Sequence, residues 1–296
     1  MAQLIHELIG DAARRTPAAL ALRSGASSLD YAALARALAA AARALLDLGL
    51  QRLDRVAVFM EKREEAVLAM FGATAAGGVF VPINPMLKPE QVAHILRDSG
   101  ARVLVTTPAR LAALAPALDR CPALHHVLCC GPQVPRLPGL NVQCWQHANH
   151  ANHADHVDQG ASLPAIACVE SDVAALLYTA CADGAPRGVV LSHRNLVASA
   201  GAQRALLGRT RTDRVLSLLP WCDDDGLAQL TSAFRAGAAS VLMTPLLVRD
   251  IPEMAERERV TEVAASASLW IQLAELDWGR CARVRQLASG GMLPAA

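Results

Sequence analysis

The amino-acid sequence predicts an α/β fold, in which mostly parallel β-sheets are covered by helices on both faces. Two observations support this class. Short apolar runs alternate with helical patterns along the chain, and the apolar runs are nearly continuous stretches of Val, Leu and Ala. Continuous apolar strands are typical of a sheet that is buried on both faces. In such a sheet, ligands bind at the carboxyl ends of the strands.

The first part of the chain shows this pattern with clear helix ends. Asp30 is a suitable N-cap for a helix that Gly49 ends, and Leu34 and Leu38 lie on its apolar face. Pro89 suits the first position of a later helix, where its missing N–H is not needed. The elements predicted after the first helix are strands at 55–60, 78–83 and 101–107 and helices at 64–76 and 90–98.

The second part repeats the alternation of strands and helices. The predicted strands lie at 173–180, 214–220, 239–244, 261–266 and 284–289, and the predicted helices lie at 194–207, 227–236, 252–259 and 268–276. Residues 131–165 are rich in Pro, Gly, Asn and His, which is typical of a linker. We therefore expect a first α/β subdomain at 1–130 and a second at 166–296.

Composition and charge argue against several classes of protein. The 296 residues are 53% hydrophobic and 3% aromatic with a net charge of +1, so a nucleic-acid surface is not expected. The eight cysteines contain no CxxC pair, which argues against a zinc site or a disulfide framework and favours buried thiols in a reducing compartment. The first residues lack the apolar core of a signal peptide, so we expect a cytoplasmic protein.

One apolar stretch is long enough to span a membrane. Residues 66–87 contain no charged side chain. However, Gly77, Gly78, Pro82 and Pro85 interrupt the stretch, which a continuous helix would not tolerate well. A buried helix, a glycine turn and a buried strand are therefore favoured over a membrane span.

A histidine repeat lies within the predicted linker. His147, His150, His153 and His156 follow one another at a spacing of three residues. Imidazoles are common metal ligands, so a metal site is one interpretation. No constellation of cysteines or carboxylates converges on the repeat, and a solvated low-complexity loop is the favoured interpretation.

The stretch YTACADGAPRGVVLSHRNL, residues 178–196, is a candidate phosphate-binding loop at the carboxyl end of a predicted strand. Thr179 supplies a hydroxyl, Gly184 and Gly188 permit close backbone approach, and Arg187 supplies a cation. The stretch does not fit G-x-x-x-x-G-K-[ST], so it is not a Walker loop. On residue chemistry alone, an ordinary Gly/Pro loop between a strand and a helix is an equally good interpretation.

The wider stretch resembles the signature of the AMP-forming acyl-activating superfamily, which contains acyl-CoA synthetases, luciferases and peptide-synthetase adenylation domains. That signature reads approximately Y-T-S-G-[ST]-T-G-x-P-K-G-V and is commonly followed by SHRNL. The matching residues are Tyr178, Thr179, Gly184, Pro186, Gly188, Val189 and the run LSHRNL at 191–196, and Arg187 replaces the usual lysine. The resemblance covers the full chain, and the later stretches look closest to acyl-CoA ligases associated with exosortase systems.

The resemblance implies two stacked, mostly parallel sheets flanked by helices, as in the large N-terminal domain of acyl-CoA synthetases. It implies that a carboxylic acid attacks the α-phosphate of Mg-ATP and that coenzyme A then takes the acyl group, so ATP, Mg²⁺ and coenzyme A are the implied cofactors. The implied site residues are the ATP phosphate loop (Thr179, Ala180, Cys181, Ala182, Asp183, Gly184, Pro186, Arg187 and Gly188), the adenine-side Gly290 and Gly291, and Trp221 and Asp224 beside the acid and nucleotide pocket.

The chain departs from the signature at the centre of the loop. Ala180, Cys181, Ala182 and Asp183 stand where the family has Ser, Gly, a hydroxyl residue and Thr. The loss of one hydrogen-bond donor to the reacting group can lower a reaction rate on the order of 10²- to 10³-fold. In addition, Asp183 brings a carboxylate toward the negatively charged phosphates of ATP. The sequence therefore predicts weakened binding of ATP and impaired catalysis.

Two further features bear on function. The acidic run in WCDDDG, residues 221–226, is either a magnesium site or, as favoured here, a solvated loop. The family's magnesium motif and its C-terminal domain with the catalytic lysine have no counterpart in residues 1–296, so no catalytic residue or metal ligand is assigned. We expect a truncated ligase whose exposed edge a protein partner covers, and the alternative is a non-catalytic acyl- or partner-binding scaffold.

Overall fold

The computed structural model describes residues 2–145, 163–164, 166–179, 186–243, 247–279, 281, 283–284 and 286–289, the last four by their backbone. In chain order its first elements are α1 (Glu7–Arg15), β1 (Leu20–Ser24), β2 (Ser27–Asp30), α2 (Tyr31–Asp47), β3 (Arg55–Phe59), α3 (Glu64–Ala75), β4 (Val79–Pro82), α4 (Pro89–Ser99), β5 (Ala101–Thr106), α5 (Pro108–Leu114), a 3₁₀ helix (Ala115–Arg120), β6 (His126–Cys129) and β7 (Asn141–Cys144).

The later elements are β8 (Val173–Thr179), β9 (Arg187–Ser192), α6 (His193–Leu206), β10 (Arg214–Ser217), α7 (Asp224–Ala236), β11 (Ala239–Leu242), a 3₁₀ turn (Val248–Asp250), α8 (Ile251–Arg257), β12 (Glu262–Ala265), α9 (Ala267–Ala274) and β13 (Gln286–Ser289). Each predicted strand and helix is present, with ends that differ by a few residues. The predicted α/β class, with two mostly parallel sheets flanked by helices, is confirmed.

The chain forms two compact units. The first contains Met1–Glu7 and Ala33–Val197, and the second contains Leu8–Ala32 and Ala198–Ala296. These bounds differ from the division at 131–165 made from sequence. The reason is strand pairing, because β7, β8 and β9 all belong to the same sheet as β3 to β6.

The first unit is built on a seven-stranded sheet with the order β7-β6-β5-β3-β4-β8-β9. All neighbours are parallel except β8 and β9, which pair in antiparallel fashion. No strand was predicted between the loop and the helix at 194–207, but β9 lies there, between the loop and α6. Gly72 allows α3 to approach α2 closely, because a Cβ added there would lie 3.0 Å from the Cβ of Ala41.

The apolar stretch at 66–87 is accounted for within this unit. It forms α3, a turn at Gly77 with a φ of 80°, and β4. Nearly every residue of α3 is buried, so the absence of charge after its first turn reflects a position inside the protein. Among the described residues, no helix combines the length and apolarity that a membrane crossing requires.

The second unit is built on a six-stranded sheet with the order β13-β12-β10-β11-β1-β2. Its strands are parallel except for the antiparallel hairpin of β1 and β2. Tyr31 at the start of α2 is fully buried in this unit. Its hydroxyl donates to the carbonyl oxygen of Ala238 at 2.6 Å, and its ring meets the Phe234 ring edge-on. This contact ties the N-terminal hairpin to the segment between α7 and β11.

A buried ion pair also stabilises the second unit. Arg209 and Glu262 are 0% and 2% exposed, and the guanidinium engages both carboxylate oxygens. The same guanidinium donates to the carbonyl oxygen of Gln229 at 3.2 Å and to the hydroxyl of Ser232. A buried charge is costly unless it is paired and hydrogen-bonded. Removing either Arg209 or Glu262 would therefore leave the other charge buried without its partner.

Seven of the eight cysteines lie in the part of the chain that the structure describes. The described cysteines are Cys121, Cys129, Cys130, Cys144, Cys168, Cys222 and Cys281, and none of them is in a disulfide. Most are buried, and burial raises the pKa of the Cys129 thiol to about 11. Across the described ranges, no group of three or more His, Cys, Asp or Glu side chains is arranged to hold a metal. The histidine repeat lies outside the described residues.

Two buried histidines hold the N-terminal segment of the first unit. Nδ1 of His193 accepts a hydrogen bond from the N–H of Ile5 at 3.1 Å, and the His6 ring lies edge-on to it with centroids 6.0 Å apart. Burial, followed by the charge on His193, lowers the pKa of His6 to about 4. Burial also lowers the pKa of His193 to about 4, against the opposing effects of Asp172 and Glu7.

We expect the protein to lose stability between pH 7 and pH 5. Both folded-state pKa values lie below the unfolded value near 6.5, so the unfolded state binds more protons in this window. Stability is therefore greatest above pH 6.5 and falls as the pH drops toward 4, by about 2 kcal/mol for one such histidine between pH 7 and pH 5. Urea denaturation at both pH values measures the loss.

The matched control is His193→Asn, which keeps an acceptor for the Ile5 N–H but cannot be protonated in this range. Its stability should depend less on pH than that of the wild type. A wild-type stability that is the same at pH 7 and pH 5 would contradict the assignment.

Candidate functional site

The predicted phosphate loop lies on a β-hairpin at the edge of the first sheet. In the antiparallel register of β8 and β9, Thr179 pairs with Arg187 and Tyr178 pairs with Gly188. Thr179 and Arg187 are both exposed, and they stand at the two ends of the segment that connects the strands. The register therefore places Thr179, the last residue of β8, opposite Arg187, the first residue of β9, at the base of the loop.

Helix α4 braces this hairpin at two points. The hydroxyl of Tyr178 donates to Oδ2 of Asp98 at 2.6 Å, and Nε2 of His94 lies 3.2 Å from the carbonyl oxygen of Pro186. His94 and Asp98 are one helical turn apart and so lie on the same face of α4. Sequence reasoning did not assign them, although their i, i+4 spacing on a predicted helix was a usable signal.

Gly188 lets the Tyr178 ring lie against β9. A Cβ added at Gly188 would be 3.2 Å from Cζ of Tyr178 and 3.4 Å from its hydroxyl oxygen. The desolvation of the phenol and its bond to Asp98 raise the pKa of Tyr178, so the hydroxyl stays protonated and able to donate. The glycine in the motif therefore serves the packing of the hairpin.

The run SHRNL has a structural role after the loop. Oγ of Ser192 accepts a hydrogen bond from the N–H of Asn195 at 3.1 Å, and Oδ1 of Asn195 accepts from the N–H of Ser192 at 3.0 Å. This reciprocal pair is a capping box at the start of α6. His193, the first residue of α6, is the histidine that binds the Ile5 N–H. The motif thus joins β9, α6 and the N-terminal segment.

Trp221 follows the carboxyl end of β10 in the second unit. It is 6% exposed, and its Nε1–H donates to the hydroxyl of Ser217 at 3.1 Å. The indole is therefore held by the last residue of the strand and packed into the unit. The structure shows a buried, oriented aromatic side chain at the position that the sequence assigned to a substrate pocket.

The three acidic residues after Trp221 lie at the start of α7. Asp223 is the N-cap and Asp224 is the first helical residue, and all three acids, including Asp225, are exposed. Carboxylates at a helix N-terminus interact favourably with the helix dipole. The exposure favours the solvated interpretation of this run over a magnesium site.

Gly226 fixes the turn between Pro220 and α7. A Cβ added at Gly226 would lie 1.9 Å from the carbonyl oxygen of Pro220 and 3.0 Å from the carbonyl carbon of Leu219. No side chain fits in this space, so the first turn of α7 can pack over the strand end only with glycine at this position.

The predicted site residues divide into three groups. The structure brings Thr179, Pro186, Arg187 and Gly188 together in the β8–β9 hairpin, and it places Trp221 and Asp224 after β10 in the second unit. Those outside the described residues are Ala180, Cys181, Ala182, Asp183, Gly184, Gly290 and Gly291.

In a mostly parallel α/β sheet, ligands such as nucleotides bind at the carboxyl ends of the strands, which is where the β8–β9 hairpin carries the candidate loop. The model of the family described as AMP-binding enzyme matches residues 9–296. The chain belongs to this family of adenylate-forming enzymes, which bind a nucleotide and a carboxylic acid.

Known proteins similar to this chain agree with the family. Bacitracin synthase 1 from Bacillus licheniformis is 26% identical over 291 residues, which are 97% of this chain and 5% of the synthase. The chain is also similar to the inhibitor-bound N-terminal domain of FACL13 from Mycobacterium tuberculosis, with a TM-score of 0.80 and 23% identity over 98% of this chain and 71% of that one.

A third similar protein is the anthranilate CoA ligase AuaEII in complex with anthranoyl-AMP. Its TM-score is 0.84 at 20% identity, and the match covers 97% of this chain and 54% of the ligase. At this identity the likeness concerns the fold. The chain thus spans a small part of the peptide synthetase and about half of the CoA ligase.

We predict that Gly226→Ala destabilises the protein by more than about 3 kcal/mol, because the new methyl group meets backbone atoms that cannot move away. The measurement is the free energy of unfolding in urea. Gly201→Ala in α6 is the matched control, since a Cβ there has no neighbour within 4 Å. It should be neutral or stabilising by about 0.5–1 kcal/mol. Equal effects of the two substitutions would contradict the role of Gly226.

Gly188→Ala should cost about 1–2 kcal/mol, since the Tyr178 ring is held at its hydroxyl and cannot swing away. The exposed neighbour Val189→Ala should change stability by less than about 0.5 kcal/mol. In a Tyr178→Ala background, the cost of Gly188→Ala should largely disappear. If that cost is the same in both backgrounds, the ring is not the constraint.

Proposed function

We propose that this chain is an acyl-CoA-ligase-type member of its family whose own ATP turnover is impaired. In the reaction of such a ligase, a carboxylate oxygen attacks the α-phosphorus of ATP and pyrophosphate leaves. The sulfur of coenzyme A then attacks the acyl carbon, the bond to AMP breaks, and the thiol proton passes to solvent. The later stretches of the sequence, which resemble ligases associated with exosortase systems, support this branch over the peptide synthetases.

The β8–β9 hairpin is the observation that carries the proposal. Thr179 and Arg187 face each other across the base of the loop, and α4 holds the hairpin through Tyr178 and Pro186. A positioned cation and hydroxyl donor suit the binding of the β- and γ-phosphates. In the proposed reaction, Arg187 stabilises the charge on the departing pyrophosphate and Thr179 orients it.

The central residues of the loop are the reason to propose that ATP turnover is impaired. Ala180 and Ala182 cannot donate a hydrogen bond to a phosphate, and Cys181 is only a weak donor. Asp183 adds a negative charge within the same short connection. The repulsion between a carboxylate and a phosphate oxygen about 4 Å apart is about 4 kcal/mol at an effective dielectric constant of 20.

Magnesium accompanies ATP in this family, but the residues described here do not form a site for it. The most acidic candidate, Asp223 to Asp225, is exposed at the start of α7. No group of three or more potential ligands converges in the described residues. The proposed roles of Thr179 and Arg187 therefore rest on hydrogen bonds and charge alone.

A second candidate function is a non-catalytic scaffold that binds an acyl group or a partner. The observation that favours it is the contrast within the loop. The residues that fold the hairpin and cap α6 are retained, whereas the four central residues all depart from the family signature. A scaffold would need the folded hairpin but not its phosphate donors.

We predict that the chain shows no ATP–pyrophosphate exchange above background with a panel of carboxylic acids. It should bind Mg-ATP only weakly in calorimetry, because the central donors are missing and Asp183 repels phosphate. Replacing Ala180, Cys181, Ala182 and Asp183 by Ser, Gly, Ser and Thr should tighten ATP binding by at least about 100-fold. ATP binding by the unmodified chain in the low micromolar range would overturn the proposed impairment.

Two further variants separate the causes. Asp183→Val removes the charge without adding a donor, whereas Asp183→Thr has nearly the same shape as valine and adds a hydroxyl, so the difference between these two variants measures the donor. Arg187→Ala in the restored loop should remove most of the gain. A gain that survives Arg187→Ala would mean that the hairpin does not hold the phosphates.

A further inference from the structure

A cavity lined by polar and charged side chains lies in the unit that carries Trp221 and Asp224. It has a volume of about 320 Å³. Leu20, Arg214 and Ala239 line it at the amino ends of β1, β10 and β11, and Thr261 lines it just before β12. Trp221 and Asp224 follow the carboxyl end of β10, so the cavity lies at the opposite edge of this sheet.

The lining of this cavity is strongly basic. Four of its residues are arginines, namely Arg211, Arg214, Arg259 and Arg283. Within the described part of the chain, none of the four guanidiniums forms an ion pair with a carboxylate. Like charges gathered around one cavity repel each other, so an anion bound between them would be stabilised.

The carboxylate in the described lining is already engaged. Oδ1 of Asp213 accepts a hydrogen bond from the hydroxyl of Thr261 at 2.8 Å, and Oδ2 accepts from the N–H of Thr210 at 2.8 Å and from its hydroxyl at 2.9 Å. The carboxylate of nearby Glu258 lies 3.2 Å from Arg23 and 3.4 Å from Arg257. These acids therefore stabilise the surrounding loops and, among the described residues, form no ion pair with the four arginines. Nη1 of Arg214 donates to the carbonyl oxygen of Glu258 at 2.9 Å, which orients this side chain.

The backbone conformation of Arg259 is an independent indication that this cavity is a functional site. It follows α8 with a φ of 56°, in the left-handed region, and Val260 N–H bonds to the carbonyl oxygen of Ala255 at 2.8 Å. This is the position after a helix that most often takes glycine. An arginine here accepts backbone strain that glycine would avoid, which is a pattern found at functional sites.

We infer that this cavity is a binding site for a soluble anion with two or more linked phosphate groups. Planar guanidiniums bind phosphate oxygens with paired hydrogen bonds, and four of the residues that line this cavity carry one. The volume is within the range of small-molecule sites and exceeds what a single phosphate needs. The site is separate from the β8–β9 hairpin and does not depend on the proposed function.

The test is calorimetric titration of the full chain with sodium tripolyphosphate at 150 mM NaCl. We expect saturable binding of one anion to this cavity. Arg259→Gly and Arg283→Ala should each weaken it by about 10-fold, the usual effect of losing one charged hydrogen-bond donor. Arg259→Gly should also keep or raise the melting temperature, because it relieves the backbone at this position.

Three controls make the result decisive. Arg204→Ala removes an exposed arginine of the same unit outside the lining, and it should change the affinity less than about twofold. Arg187→Ala in the hairpin should leave this binding unchanged. ATP should bind the cavity no more tightly than tripolyphosphate, which lacks a nucleoside.

Several results would overturn the inference. These are an absence of saturable binding to the unmodified chain, an equal loss with Arg204→Ala and Arg259→Gly, and a loss that occurs only with Arg187→Ala. Binding of ATP at this cavity without binding of tripolyphosphate would also overturn it, because the ligand would then be recognised by its nucleoside.

Discussion

The antiparallel pairing of β8 and β9 is the constraint on which the first unit's candidate site depends. Parallel strands end at the same edge of a sheet, but only a hairpin returns the chain at once to that edge. The register of the pair places Thr179 opposite Arg187, and α4 holds the hairpin from one side. The base of the loop is thereby set by backbone hydrogen bonds, whatever residues occupy its centre.

This arrangement gives the signature motif a structural role that is separate from phosphate binding. Tyr178 and Gly188 pack against each other, Ser192 and Asn195 cap α6, and His193 binds the N-terminal segment. These residues match the family signature, and each of them stabilises the hairpin, the start of α6 or the N-terminal segment. Membership of the family, which the motif supports, is therefore a separate matter from competence in phosphate binding, which depends on the loop's central residues.

The two ends of the second unit's sheet differ, since side chains fill the space at one end and a cavity lies at the other. At the carboxyl end of β10, the Trp221 indole is buried and Gly226 allows α7 to start directly above the strand. At the amino end, polar loops and arginines surround a cavity. The buried pair of Arg209 and Glu262 joins the segment before β10 to β12. The interior of this unit thus contains a satisfied ionic network, whereas the arginines around the cavity have no acidic partner among the described residues.

The sequence by itself determined the α/β class and the longer helices and strands, because their apolar periodicity and cap residues are local signals. It also determined the family, through residues such as Tyr178, Gly184 and Gly188. Short strands such as β2, β6 and β9 were missed, since a four- to six-residue strand is stabilised mainly by its neighbours in the sheet.

Only the tertiary structure decided the division into units, the bracing of the hairpin by His94 and Asp98, and the bond between His193 and Ile5. It also gathered Arg211, Arg214, Arg259 and Arg283 around one cavity. These residues are far apart along the chain, and their proximity arises from strand order. Strand order is set by long-range packing and hydrogen bonding, which no local pattern encodes.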